Sequence, residues 1–126
     1  MGFVRAAGSG PGGSPYNDDQ VMTWNGSSWS EVAEVNTGRY ASTGSGSSTA
    51  GMISGGKNPA FANAEQWNGS AWTEVADLNS PRGSLSGTGS STSALAFLGS
   101  NPGSDNKAFT EQWDGTAWTE VNDLST

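Results

Sequence analysis

Trp67-Asn68-Gly69-Ser70-Ala71-Trp72 is the stretch on which the fold turns, and close copies stand at Trp24-Asn25-Gly26-Ser27-Ser28-Trp29 and Trp113-Asp114-Gly115-Thr116-Ala117-Trp118. Asn-Gly and Asp-Gly tolerate positive φ and are among the strongest short-range signals for a β-hairpin. A four-residue loop sets the two tryptophans of each motif opposite one another, as a cross-strand aromatic pair. All six tryptophans of the chain lie in these three motifs.

Agreement continues beyond the hairpins. Two and three positions after each second Trp come Glu31-Val32, Glu74-Val75 and Glu120-Val121; five and six on come Glu34-Val35, Asp77-Leu78 and Asp123-Leu124. Arg39 and Arg82 follow at equal distance, then Gly44 with Gly46 against Gly87 with Gly89, and Asn58-Pro59 against Asn101-Pro102. The first Trp recurs after 43 residues and then after 46, which is the period of a repeat architecture. Within one repeat the pattern predicts four short strands, over 40–47, 49–54, 60–67 and 72–78. No long window has helical apolar spacing, and Gly recurs too often for helices.

Four antiparallel strands per repeat is the arithmetic of β-propeller blades, so the expected class is all-β. The chain reads as one repeat domain over 1–126. It divides into an incomplete blade at 1–35, which lacks a clear inner strand, and blades at 36–78 and 79–126. These amount to about 2.75 blades, fewer than the roughly four to eight that close a ring. The expectation is a partial propeller completed by oligomerisation, as a homo-oligomer in which two chains supply about six blades; the alternative is that the chain is an excerpt of a longer propeller.

The repeat resembles the kelch type. Kelch blades carry Arg before the inner strand, a glycine pair after the second strand, an aromatic residue in the third and Trp opening the fourth. Here Arg39 and Arg82, Gly55-Gly56, Trp67 and Trp113, then Trp72 and Trp118 occupy those places. The third copy shows Gly99-Ser100 against the glycine pair, and Trp stands where the family has Tyr. Ser/Thr/Gly-rich blades of this kind are also similar to repeats in phage structural proteins and bacterial surface proteins. That likeness points to an extracellular or virion-surface location.

Composition removes most chemistry. Gly, Ser and Thr make up about two residues in five, charged residues only 13%, and there is no His and no Cys. Thiolate nucleophiles, zinc–thiolate sites, disulfides and the usual general base are therefore absent. Kelch propellers resemble the catalytic domain of galactose oxidase, but its copper site needs His ligands and a Tyr–Cys crosslink that this chain cannot supply. A two-carboxylate glycoside hydrolase stays chemically possible, yet no acidic pair departs from the repeat. A net charge of −7 with five Lys and Arg argues against nucleic-acid binding. No apolar run is long enough to insert in a membrane, and neither a secretory leader nor a myristoylation signal is recognised at the start.

The expected function is thus a non-enzymatic binding module with no cofactor and no metal site, recognising a glycan or a protein through loops on one face. The alternative is an architectural spacer or assembly element of a virion or cell-surface appendage. Candidate ligand-binding residues lie in the loops: Asn36, Arg39, Lys57, Asn58, Asn79, Arg82, Asn101 and Asn106. Arg39 and Arg82 have a competing role as structural forks for carbonyls or a carboxylate. Trp24, Trp29, Trp67, Trp72, Trp113 and Trp118 offer sugar-stacking faces, but their place beside every hairpin assigns them to the core. Asn25 and Asn68 fit the N-glycosylation pattern, whereas Asp114 does not, so shared turn chemistry explains all three. The paired acids after each second Trp form a solvated rim rather than a calcium site, which needs six to eight converging oxygens; Asp105 and Asn106 are weaker calcium candidates.

Overall fold

The computed structural model describes residues 4–7, 20–57, 60–101 and 108–125. Eleven short strands run in chain order: β1 Val4–Ala7, β2 Gln20–Trp24, β3 Trp29–Val32, β4 Thr43–Gly46, β5 Gly51–Ser54, β6 Ala64–Trp67, β7 Trp72–Val75, β8 Ser86–Gly89, β9 Ala94–Phe97, β10 Thr110–Trp113 and β11 Trp118–Val121. They form three antiparallel sheets in simple meander order, β1-β2-β3, β4-β5-β6-β7 and β8-β9-β10-β11. The described residues contain no helix. Among the described residues the first sheet has three strands and the other two have four. Each strand is shorter than its hydrophobic pattern suggested, because turns and linkers claim the flanking residues.

The hairpins close as their chemistry dictates. Trp24 pairs with Trp29, Trp67 with Trp72 and Trp113 with Trp118, with ring centroids 5.5, 5.4 and 5.4 Å apart. Asn25 Oδ1 accepts from the amides of Ser27 and Ser28, Asn68 Oδ1 from those of Ser70 and Ala71, and Asp114 Oδ1 from those of Thr116 and Ala117. Gly26, Gly69 and Gly115 each take φ near 100°, a region L-residues rarely enter. The inner hairpins are closed by hydroxyls instead: the amide of Ala50 donates to Ser47 Oγ, and that of Ser93 to Ser90 Oγ.

Two cores lie between sheets. Ile53, Trp67 and Trp72 on one face of the second sheet pack with Val21 and Val35, and Val32 closes the edge. On the opposite side, Met52 and Leu78 pack with Leu85, Ala94, Ala96, Trp113 and Trp118 of the third repeat. β4 and β8 run beside each other at this second joint. Val35 and Leu78 belong to linkers, so each linker drives an aliphatic side chain into the joint it spans. Burial of such a side chain is worth roughly 1.5–3 kcal/mol.

The repeat register differs in one place from the sequence alignment. The bridges Tyr40–Lys57 and Gly83–Ser100 make Lys57 and Ser100 equivalent. Leu98-Gly99, not Gly99-Ser100, therefore matches Gly55-Gly56. Gly55 and Leu98 have φ of 64° and 62°, so Leu98 holds a left-handed conformation that glycine serves in the preceding repeat.

Candidate functional site

The most elaborate polar constellation is a clamp on each linker. After β3 the chain runs Asn36-Thr37-Gly38-Arg39, and after β7 it runs Asn79-Ser80-Pro81-Arg82. Both segments wrap around a glutamate of the following sheet. Glu65 Oε2 accepts from Asn36 N at 2.7 Å and Asn36 Nδ2 at 2.9 Å, while Oε1 accepts from Thr37 N and from Arg39 Nη2. Glu111 repeats the pattern: Oε2 accepts from Asn79 N at 2.7 Å and Nδ2 at 2.9 Å, and Oε1 accepts from Ser80 N and from Arg82 Nη1 at 2.6 Å. The asparagine amides also donate to the Trp72 and Trp118 carbonyls. Arg39 Nη1 continues to Asn63 O, and Arg82 Nη2 to Ala96 O.

These ion pairs are buried. Burial pulls the Arg39 guanidinium below its ordinary pKa, and the charge and hydrogen bond of Glu65 pull it back up. Charges removed from water are tolerated only when paired and hydrogen-bonded, and each carboxylate here receives four donors. Arg82 Nε is the one guanidinium nitrogen buried without a partner among the described residues.

Four of the residues expected to contact a ligand thus have internal partners. Arg39 and Arg82 are enclosed, and Asn36 and Asn79 turn their amides onto Glu65 and Glu111. The physical reason is the buried carboxylate, which needs those donors. Neither Glu65 nor Glu111 stands out in the sequence. The available signal is the recurrence Glu-Gln-Trp at 65–67 and 111–113, broken to Met22-Thr23-Trp24 in the first repeat.

Lys57 remains half-buried, its backbone paired with Tyr40 and its side-chain stem lying against Gly83. No ion pair engages it among the described residues. Asn101 Oδ1 is buried and unpartnered. Asn58, Asp105 and Asn106 lie outside the described residues. Trp67, Trp72, Trp113 and Trp118 are buried, Trp24 is half-buried and Trp29 is exposed. Indole nitrogens tie turns and sheets together: Trp67 Nε1 donates to Ser48 O, Trp113 Nε1 to Ser91 O, and Trp72 Nε1 reaches Ala33 O of the preceding repeat. Gln66 adds a second bond to Ser91 O across the joint.

Glu31, Glu34, Glu74, Asp77, Glu120 and Asp123 are all exposed along the outer edge. Among the described residues no three acidic side chains converge as metal ligands would. No protein-family model matches this chain, and no curated protein matches it.

Proposed function

We propose that the chain is a non-enzymatic module of kelch-like β-propeller blades whose work is structural, as an assembly element of a virion or cell-surface appendage. The observation that carries this reading is the pair of equivalent clamps, Asn36–Glu65–Arg39 and Asn79–Glu111–Arg82. Polar groups that a recognition or catalytic site would need are used to lock one repeat to the next. In repeat proteins of this kind, stability comes largely from such neighbour contacts.

Recognition of a glycan or surface protein is the second reading. Lys57, without an ion pair, and Asn101, with an unpartnered Oδ1, favour it, since both follow the second strand of their repeats. Loops on a rigid scaffold are common binding elements.

A glycan array probed with the full chain tests the two against each other. The structural reading expects silence. Specific binding that disappears in Lys57→Ala or Asn101→Ala would replace it with the recognition reading.

A further inference from the structure

The three tryptophan hairpins are one turn built with two different side chains. Asn25 Oδ1 accepts from the Ser27 and Ser28 amides at 2.8 and 2.9 Å, and Asn68 Oδ1 from the Ser70 and Ala71 amides at 2.9 Å each. Asp114 Oδ1 accepts from the Thr116 and Ala117 amides at 2.8 and 2.9 Å. An acid therefore holds this turn with the same bonds as an amide.

Each of the two asparagines precedes a glycine whose amide is unoccupied. The Gly26 and Gly69 N–H groups make no hydrogen bond among the described residues, and both turns are exposed to water. Without a Cβ, the glycine leaves its nitrogen open to close approach. A nucleophile one residue from the side-chain carbonyl reacts within the molecule, sparing the entropy of an encounter. Attack on Cγ builds negative charge on Oδ1, where two N–H donors already point, and such preorganised donors lower a barrier. Asn36 and Asn79 provide the contrast. The amides that follow them, Thr37 N and Ser80 N, donate to Glu65 Oε1 and Glu111 Oε1, and their own Nδ2 groups donate to Oε2 of the same glutamates.

We propose that Asn25 and Asn68 are sites of spontaneous modification, at which water converts the side-chain amide to a carboxylate through a cyclic imide with the following glycine. Solvent base takes the Gly69 N–H proton and the N–Cγ bond forms. The Cγ–Nδ2 bond then breaks as Nδ2 takes a proton and leaves as ammonia. Water opens the imide in either of two ways. Cleavage of N–Cγ gives aspartate; cleavage between that nitrogen and the backbone carbonyl carbon gives isoaspartate, with the chain routed through Cγ. The aspartate product has its counterpart in Asp114 and keeps the hairpin. Isoaspartate adds a backbone atom to a four-residue loop and so disturbs the pairing of Trp67 with Trp72, whose ring centroids lie 5.4 Å apart. Conversion at both sites adds two negative charges to a chain of net charge −7. This inference goes beyond the structural reading above and does not depend on it.

Peptide mapping of the full chain by mass spectrometry, after warm incubation at mildly alkaline pH, tests it. Fragmentation that separates aspartate from isoaspartate is expected to find both products at Asn25 and Asn68, with the amides of Asn36 and Asn79 intact. The folded chain is expected to convert at least as fast as the chain in guanidinium chloride, because the turn supplies donors that the unfolded chain lacks. Gly69→Ala is expected to slow conversion of Asn68 at least about tenfold and to leave Asn25 unchanged. Asn68→Asp is expected to keep the circular dichroism and urea midpoint of the wild type. Circular dichroism also verifies folding of Gly69→Ala; if that variant does not fold, the comparison of folded and unfolded wild type decides the matter. A folded chain that converts more slowly than the unfolded one, equal conversion at Asn36 and Asn79, or an undiminished rate in Gly69→Ala would overturn the proposal. Loss of the hairpin in Asn68→Asp would overturn the assignment of Asp114 as the counterpart of the product.

Discussion

Arg82 Nη1 donates to Glu111 Oε1 at 2.6 Å with each side chain 1% accessible, and Arg39 makes the equivalent contact to Glu65 one repeat earlier. A pair so enclosed contributes little beyond an apolar replacement, yet breaking it leaves an uncompensated charge. Arg82→Met is expected to destabilise the chain by about 3–5 kcal/mol in urea unfolding. Adding Glu111→Gln should recover part of that loss, because the neutral amide still offers an oxygen to Asn79. The double-mutant cycle is expected to give a coupling of about 1–3 kcal/mol. Strict additivity would remove the clamp as an energetic unit.

Leu98 and Gly55 share a left-handed backbone but not their surroundings. Leu98 is exposed, so Leu98→Gly relieves a conformation costing roughly 1–2 kcal/mol against the entropy of an added glycine. The net expectation is a gain of about 0.5 kcal/mol, read as a raised urea midpoint. Gly55→Ala goes the other way, because a Cβ there would meet Arg82 O at 2.7 Å and Leu85 Cδ2 at 2.8 Å. A stabilised Gly55→Ala would contradict this packing.

Asp114 supplies a pH-dependent turn where Asn25 and Asn68 supply a neutral one. Hydrogen bonds from the Ala117 and Thr116 amides hold its carboxyl below the ordinary Asp value. A depressed folded-state pKa means the contribution is present above the unfolded value and is lost as pH falls through the folded value. The Thr116 and Ala117 amide resonances are expected to shift through that acid range. In Asp114→Asn those shifts should vanish while the hairpin persists. Persistence of the titration in the variant would assign it to another group.

Leu78 anchors the second joint from a linker. Leu78→Ala removes a side chain packed among Met52, Trp113 and Trp118 and is expected to cost about 2–5 kcal/mol. The loss should appear chiefly as a lowered thermal midpoint with intact hairpin circular dichroism. A change below about 0.5 kcal/mol, typical of a surface site, would contradict the joint.

Sequence alone determined what is local. Asn-Gly and Asp-Gly between tryptophans fix their hairpins through side-chain oxygens that reach amides two and three residues on. The period of those hairpins set the all-β class. Tertiary structure decided which polar residues are available to the outside. Glu65 lies 26 residues from Arg39, and Glu111 lies 29 from Arg82. Nothing in a strand's alternation says whether its polar side will be covered by a linker from the neighbouring repeat. The same holds for Leu78 and Leu124, alike in local context yet opposite in burial, because among the described residues Leu78 packs against the third sheet and Leu124 against no further one.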